Sequence, residues 1–164
     1  GHKDSDEPTL KELGEFIFFV QCQQCHGVTG DGLSGKAQDF TARMTKEQIL
    51  DVINNGQNQL GYPMGAMPGG MAQGADAEAI AVYIAGGMKG EQPAAFAACG
   101  SCHGMDGKGN NGMSPNLVAY DAALMNHVLQ NGKKGIVGKM PSFKTLITPV
   151  QEKALTVYVQ SLSN

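Results

Sequence analysis

A chain of 164 residues is long enough for one ordinary domain or two small ones. With no tryptophan, 6% aromatic residues and 23 glycines, it has few large side chains to build a core from and many turns or close backbone approaches. The net charge of -3 is mild and argues against nucleic acid as a partner, which needs a clustered basic surface.

Residues 1–8 are polar and acidic and read as a tail or tag remnant outside the fold. No signal peptide is visible, as in a mature or trimmed form. Thr9-x-x-Glu12 is a capping box and predicts a helix from the next residue. The longest apolar run in it, Phe16 to Val20, is far too short to cross a bilayer. Cys22-Gln-Gln-Cys25-His26-Gly27 follows. A second capping box, Thr45-x-x-Gln48, opens a helix that should stop at Asn55-Gly56. Next comes YPMGAMPGGM, residues 62–71. Met64, Met67 and Met71 are spaced as on one helix face, yet Pro63, Gly65, Pro68, Gly69 and Gly70 forbid a stable helix. Soft sulfur side chains are thus concentrated on a loop.

Gly86-Gly87 to Pro93 is rich in Gly and Pro and marks a boundary. Beyond it the chain repeats. Cys99-Gly-Ser-Cys102-His103-Gly104 stands 77 residues after the first such motif. At that offset Gly32 meets Gly109, Gly35 meets Gly112, Asp39 meets Asn116 and Phe40 meets Leu117. One residue less aligns Val52–Gly56 with Val128–Gly132, so a helix from near Asp121 should end at Asn131-Gly132. Thr148-x-x-Gln151, with Pro149 at the first helical position, opens a last helix. Val150, Ala154, Tyr158 and Leu162 form its apolar face. No stretch alternates like a strand over a useful length. The expectation is all-α, in two tandem units, residues 9–87 and 88–164.

All four cysteines fall in CxxCH. A thioredoxin-like pair would need strand–helix–strand surroundings. A four-cysteine zinc site would need ligands from both sides of the boundary. Structural disulfides leave the two histidines unexplained. CxxCH is the attachment signature of c-type haem, in which two thiols add to two vinyl groups and the next residue puts its imidazole on iron. Two haem c groups are expected, held by Cys22 and Cys25 with His26, and by Cys99 and Cys102 with His103. Each would supply the apolar body that the aromatics do not, and staple a unit too small to fold securely alone.

A second axial ligand is needed in each unit. His127 lies within a helix opposite Asp51, which cannot be an equivalent ligand, so His127 reads as a surface residue. Met140-Pro141 precedes the last helix and pairs by repeat with His103. The matching loop in the first unit is the methionine-rich one. Spacing from Gly56 favours Met64; the following proline favours Met67, because Met67-Pro68 reproduces Met140-Pro141. Met67 is taken as the ligand with Met64 as alternative, and Met71 as a filler at the haem edge. A His/Met pair raises haem potential.

These residues resemble class I cytochromes c over nearly the whole chain. Gly14, Phe18 and Cys22 look like the family's first helix. The resemblance implies Tyr83 as its crossing partner, and Phe96 with Tyr158 as the second unit's equivalent. Ser114-Pro115-Asn116-Leu117 implies that the Pro115 carbonyl accepts a hydrogen bond from His103. Gln38 stands opposite Pro115, a departure that leaves the matching contact to His26 unimplied. DGKGNNGMSPNL, NGKKGIVGKMPSF and the closing YVQSL are similar to the second haem domain of the dihaem subunit of cbb3-type cytochrome oxidases. GKAQDF and GGMKGEQPAAFAACGSCHG look like versions from some bacterial lineages. The resemblance implies a non-enzymatic electron carrier on the periplasmic side of the bacterial inner membrane. Its partners would be oxidase core subunits or a soluble cytochrome donor. Membrane association would come through an anchor that the family subunit carries and this sequence lacks, or through partner subunits. The alternatives are a free soluble periplasmic dihaem carrier, or the cytochrome subunit of a periplasmic dehydrogenase. A catalytic dihaem protein, such as a peroxidase or thiosulfate-oxidising enzyme, would need an open iron site.

Overall fold

Thr9, Thr45 and Thr148 each start a helix as the sequence predicts. Each threonine side chain accepts from the backbone N–H three residues on, and the Glu12, Gln48 or Gln151 side chain accepts from the threonine N–H in return. The computed structural model describes residues 9–33, 37–57, 60–135 and 138–162; the tail 1–8 with His2, and Gly35, lie outside them. The helices are α1 (Leu10–Gln21), α2 (Gln23–His26), α3 (Lys46–Asn55), α4 (Gly74–Ala85), α5 (Ala97–His103), α6 (Ala122–Asn131) and α7 (Pro149–Leu162). A 3-10 turn, Ala94–Phe96, leads into α5. α3 and α6 stop at Gly56 and Gly132, whose φ of 79° and 71° is the left-handed conformation that favours glycine. An antiparallel ribbon departs from the all-α expectation: β1 (Lys133–Gly135) pairs with β2 (Gly138–Met140), and Lys133 faces Met140 across the strands. Three residues per strand are too few for alternation to register.

Two clusters form the core. The first joins α1 to α6 and α7: Ile17 and Phe18 pack with Leu124, Met125, Leu129, Leu155, Tyr158 and Val159. Each fully buried side chain of this size contributes about 1.5–3 kcal/mol. Gly14 makes the α1–α7 crossing possible. A Cβ there would lie 2.0 Å from the Ala154 carbonyl oxygen and 2.8 Å from Tyr158 Cβ. The second cluster is built from the middle of the chain. Ile49 and Ile53 of α3 meet Ala77, Ile80, Ala81 and Ile84 of α4, together with Phe96 and Cys99.

This packing corrects two expected contacts. Tyr83 is not the crossing partner of Gly14 and Phe18; Tyr158 is, with its ring 5.3 Å from that of Phe18. Phe96 packs on Tyr83, rings 5.9 Å apart and edge to face, rather than on Tyr158. The reason lies in the repeat. Ala79-Ile80-Ala81-Val82-Tyr83-Ile84 and Ala154-Leu155-Thr156-Val157-Tyr158-Val159 are nearly interchangeable surfaces, so local sequence does not choose between them. The route of the chain is tied at one place. The Tyr120 hydroxyl lies 3.0, 2.5 and 2.8 Å from the carbonyls of Asp39, Ala42 and Arg43. Arg43 Nε donates to the Asn116 carbonyl at 3.1 Å. The chain thus leaves the first cluster near residue 40 and returns beside its point of exit. The middle segment carries α3, α4 and α5 and the second cluster, while its Leu60 and Tyr62 join the first.

Candidate haem sites

Each CxxCH motif ends a helix in its histidine: α2, with Cys22 as the residue before its first turn, and α5, which contains Cys99–His103. The first cysteine of each pair is buried, 8% exposed in both cases, while Cys25 is exposed and Cys102 half-buried. Burial, then the neighbouring Cys25, pushes the Cys22 thiol up to about 12. Burial, then Cys102, raises Cys99 likewise. Burial thus disfavours the thiolate at Cys22 and Cys99, the opposite of what activates a redox pair. Among the described residues no three His, Cys, Asp or Glu side chains converge as a zinc site would require.

The histidines are held alike. His103 Nδ1 lies 2.8 Å from the Pro115 carbonyl, and His26 Nδ1 lies 2.9 Å from the Gln38 carbonyl. The contact that the departure at Gln38 left unimplied is therefore present. A backbone carbonyl supplies it, so proline is not required. The Gln38 side chain serves elsewhere, donating to the Arg43 carbonyl and the Tyr120 hydroxyl and accepting from Gln48. With Nδ1–H donating, Nε2 keeps a free lone pair. Burial lowers the pKa of both imidazoles, against the raising effect of the carbonyl bond. Neutral imidazole is the form that ligates a metal.

A cavity of about 340 Å³ brings Cys99, Cys102 and His103 together with Met64, Met67 and Met71. Ile49, Ile53, Ile80 and Ile84 make much of its wall apolar. Its size lies within the range of cofactor pockets. The repeat pairs Met67 with His26 and Met140 with His103. In space Met67 lines the cavity of His103, because the middle segment carries both. Met140 packs instead against the cluster that contains Cys22. Around that motif Phe40 stacks on the His26 ring at 4.4 Å, with Phe18 and Tyr120 edge-on to Phe40. His127 is half-buried and stacks on Tyr62, centroids 3.9 Å apart, and does not line the cavity.

The donor set fits haem c: two thiols, an imidazole with Nε2 free, and thioethers across an apolar cavity. Sequence reasoning missed Arg43, Tyr62 and Lys133, which also line this cavity. Their signal was slight: a lone arginine before a capping box and a lysine pair after a helix-ending glycine.

The family model described as cytochrome c oxidase, cbb3-type, subunit III matches residues 10–84 and 89–159, one match in each repeat. The cbb3-type cytochrome c oxidase subunit CcoP of Helicobacter pylori strain 52 is 36% identical over 178 residues, covering 98% of this chain and 61% of that protein. Subunit FixP of Azorhizobium caulinodans is 32% identical, with 91% and 58% covered. Subunit CcoP of Rubrivivax gelatinosus is 30% identical, with 96% and 56% covered. The chain spans about three fifths of the length of these relatives.

Proposed function

The chain belongs to the cbb3-type cytochrome c oxidase subunit III family, and on that premise we propose that it carries two haem c groups and passes electrons from a periplasmic or membrane donor to the core of a terminal oxidase. The observation that carries this reading is a CxxCH motif in each of the two stretches that the family model matches. Cytochrome c families bind haem covalently; the count of two is our reading of the duplicated motif. The repeat units 9–87 and 88–164 each bring one CxxCH and one methionine loop, and we read them as paired crosswise.

The axial pairs we propose are His103 with Met67 and His26 with Met140. The shared cavity of His103 and Met67 supports the first, and the packing of Met140 against the Cys22 cluster supports the second. Met64 is the alternative to Met67. Bound haem supplies reversible one-electron chemistry at iron. The chain's own residues do the rest. The Pro115 and Gln38 carbonyls orient the two imidazoles. The isoleucines would exclude water, and the Met67 and Met140 thioethers would be soft ligands of the kind that raise haem potential. We read the chain as an electron-transfer part of an oxidase rather than a catalytic one.

Thioether attachment of haem takes place outside the cytoplasm, so the proposed location is the periplasmic side of the bacterial inner membrane. Among the described residues no helix is long and apolar enough to cross a membrane. Association with the membrane would rest on further sequence of the kind the longer relatives contain, or on oxidase subunits.

The test is made on source cells. Membranes and soluble periplasm are separated and run on a haem-stained gel, and haem per chain is measured by mass and pyridine haemochrome. Two haems per chain in a membrane fraction that co-purifies with oxygen uptake is the expected result. A soluble product free of oxidase would refute the oxidase assignment and leave a dihaem carrier. One haem per chain would refute the dihaem reading.

A further inference from the structure

The two loops that run on from α2 and α5 follow one plan. The main-chain carbonyls of Gln38 and Pro115, 77 positions apart in the repeat, each meet an imidazole Nδ1. The next residues, Asp39 and Asn116, each turn the chain with their own side chain. Asp39 accepts from the Thr41 N–H and Asn116 from the Val118 N–H, both at 2.8 Å. Further on stand Arg43 and Tyr120, again equivalent positions of the repeat. Each reaches across to the other loop. The Tyr120 hydroxyl lies 3.0 Å from the Asp39 carbonyl, and Arg43 Nε donates to the Asn116 carbonyl at 3.1 Å. The two also meet each other: the Tyr120 hydroxyl lies 2.8 Å from the Arg43 carbonyl, and the Arg43 guanidinium lies 5.2 Å from the centre of the Tyr120 ring. Reciprocal contacts between equivalent positions are the mark of a two-fold interface. Gln38 completes the connection, because its side-chain amide donates to the Tyr120 hydroxyl at 3.0 Å while its carbonyl meets His26. A run of covalent and hydrogen bonds through Gln38, Tyr120, Arg43, Asn116 and Pro115 therefore joins His26 to His103.

The outer partner of a ligating imidazole fixes the ring's orientation and raises its basicity. A carbonyl that shifts therefore retunes whatever metal the ring holds. We propose that Arg43 and Tyr120 form a reciprocal clasp that couples the two haem sites, each side chain positioning the loop whose carbonyl orients the other unit's histidine. Both act as positioning residues through Asn116 and Asp39, which adjoin the Pro115 and Gln38 carbonyls. The inference rests on the haem reading above and goes beyond it: the two haems would not be independent carriers, because ligation at each depends on a side chain from the loop of the other. Tyr120 has a second hold on His26. Its ring is edge-on to Phe40 at 5.3 Å, and Phe40 stacks on the imidazole at 4.4 Å. Removing the Tyr120 hydroxyl alone keeps that packing and deletes only the hydrogen bonds.

The test uses the haem-loaded chain. Haem content is measured first, by mass and pyridine haemochrome. Both midpoint potentials are then measured in Tyr120→Phe and in Tyr83→Phe, whose hydroxyl meets Gln92 at 3.4 Å and lies outside the clasp. A variant with Cys99 and Cys102 replaced by alanine assigns the potentials. A loosened carbonyl leaves the imidazole less basic and so disfavours the oxidised form. Losing an outer partner changes metal affinity about 10–100-fold. Tyr120 stands one hydrogen bond further out, so Tyr120→Phe should shift each reduction equilibrium about threefold toward reduced, about 28 mV for a one-electron couple. Tyr83→Phe should shift neither haem by more than about 1.5-fold, as expected of a site with no shared partner. Gln38→Met keeps the main-chain carbonyl and removes only the side-chain amide. It should shift both haems the same way by less, and it decides the matter should Tyr120→Phe fail to fold. A shift confined to one haem, no shift at either, or equal shifts in Tyr83→Phe would overturn the proposal. Fewer than two haems per chain in the unaltered protein would instead refute the haem reading beneath it.

Discussion

Crosswise packing can be tested by a double-mutant cycle on Phe18 and Tyr158. The two rings are 5.3 Å apart and tilted by 57°, and Phe18 is 2% exposed. Truncating Phe18 to alanine would cost about 3–5 kcal/mol, enough to threaten folding. Phe18→Leu and Tyr158→Leu keep apolar bulk while removing the ring–ring contact. An aromatic pair in this geometry is coupled by about 0.5–1.5 kcal/mol beyond burial. A chain of this size changes its Tm by about 2–4 °C per kcal/mol. The double variant should therefore melt above the sum of its single losses by roughly one to six degrees. Unfolding of the haem-loaded chain followed by circular dichroism measures this. Tyr83 and Phe96, 5.9 Å apart, should couple in the same way. Phe18 with Tyr83, and Phe96 with Tyr158, should add within about 0.3–0.5 kcal/mol. If these two pairs couple, and the other two add, each helix packs within its own repeat and the crosswise arrangement is refuted.

Met67→Ala should lower the potential of the haem attached to Cys99 and Cys102 and let the reduced protein bind carbon monoxide there, whereas Met140→Ala should do so at the other haem; the same result from Met64→Ala, with Met67→Ala silent, would transfer the ligand role to Met64. His127→Ala should leave both haem spectra unchanged and cost about 0.5–1.5 kcal/mol through its lost stacking on Tyr62, and disappearance of a low-spin signal would contradict this. Thr45→Ala removes the cap of α3 and should cost about 1 kcal/mol in chemical denaturation.

The local features were legible because they are local. The capping threonines and terminal glycines announce α1, α3, α6 and α7, and CxxCH with the Met-Pro loops announces the donor set. The partner of each helix was not legible. Gly14 demands a close approach, but the α4 and α7 surfaces carry the same alanine–tyrosine pattern, and only tertiary ties such as that of Tyr120 to residues 39–43 separate them. The crosswise methionine pairing we propose turns on the same ambiguity. Arg43 and Lys133 escaped because a cation seen in sequence reads as surface until its neighbours are known.

The packing of α1 against α7, the two ends of the chain, sets an order of assembly. The middle segment holds its own α3, α4 and α5, whose cluster does not await α7. The unit around Cys22 cannot close until α7 has followed, because its core needs Leu155, Tyr158 and Val159. Closing a loop of that length is entropically costly and slow. The Cys22 motif thus gains its packing last although it lies first in the chain, and the final helix acts as its latch.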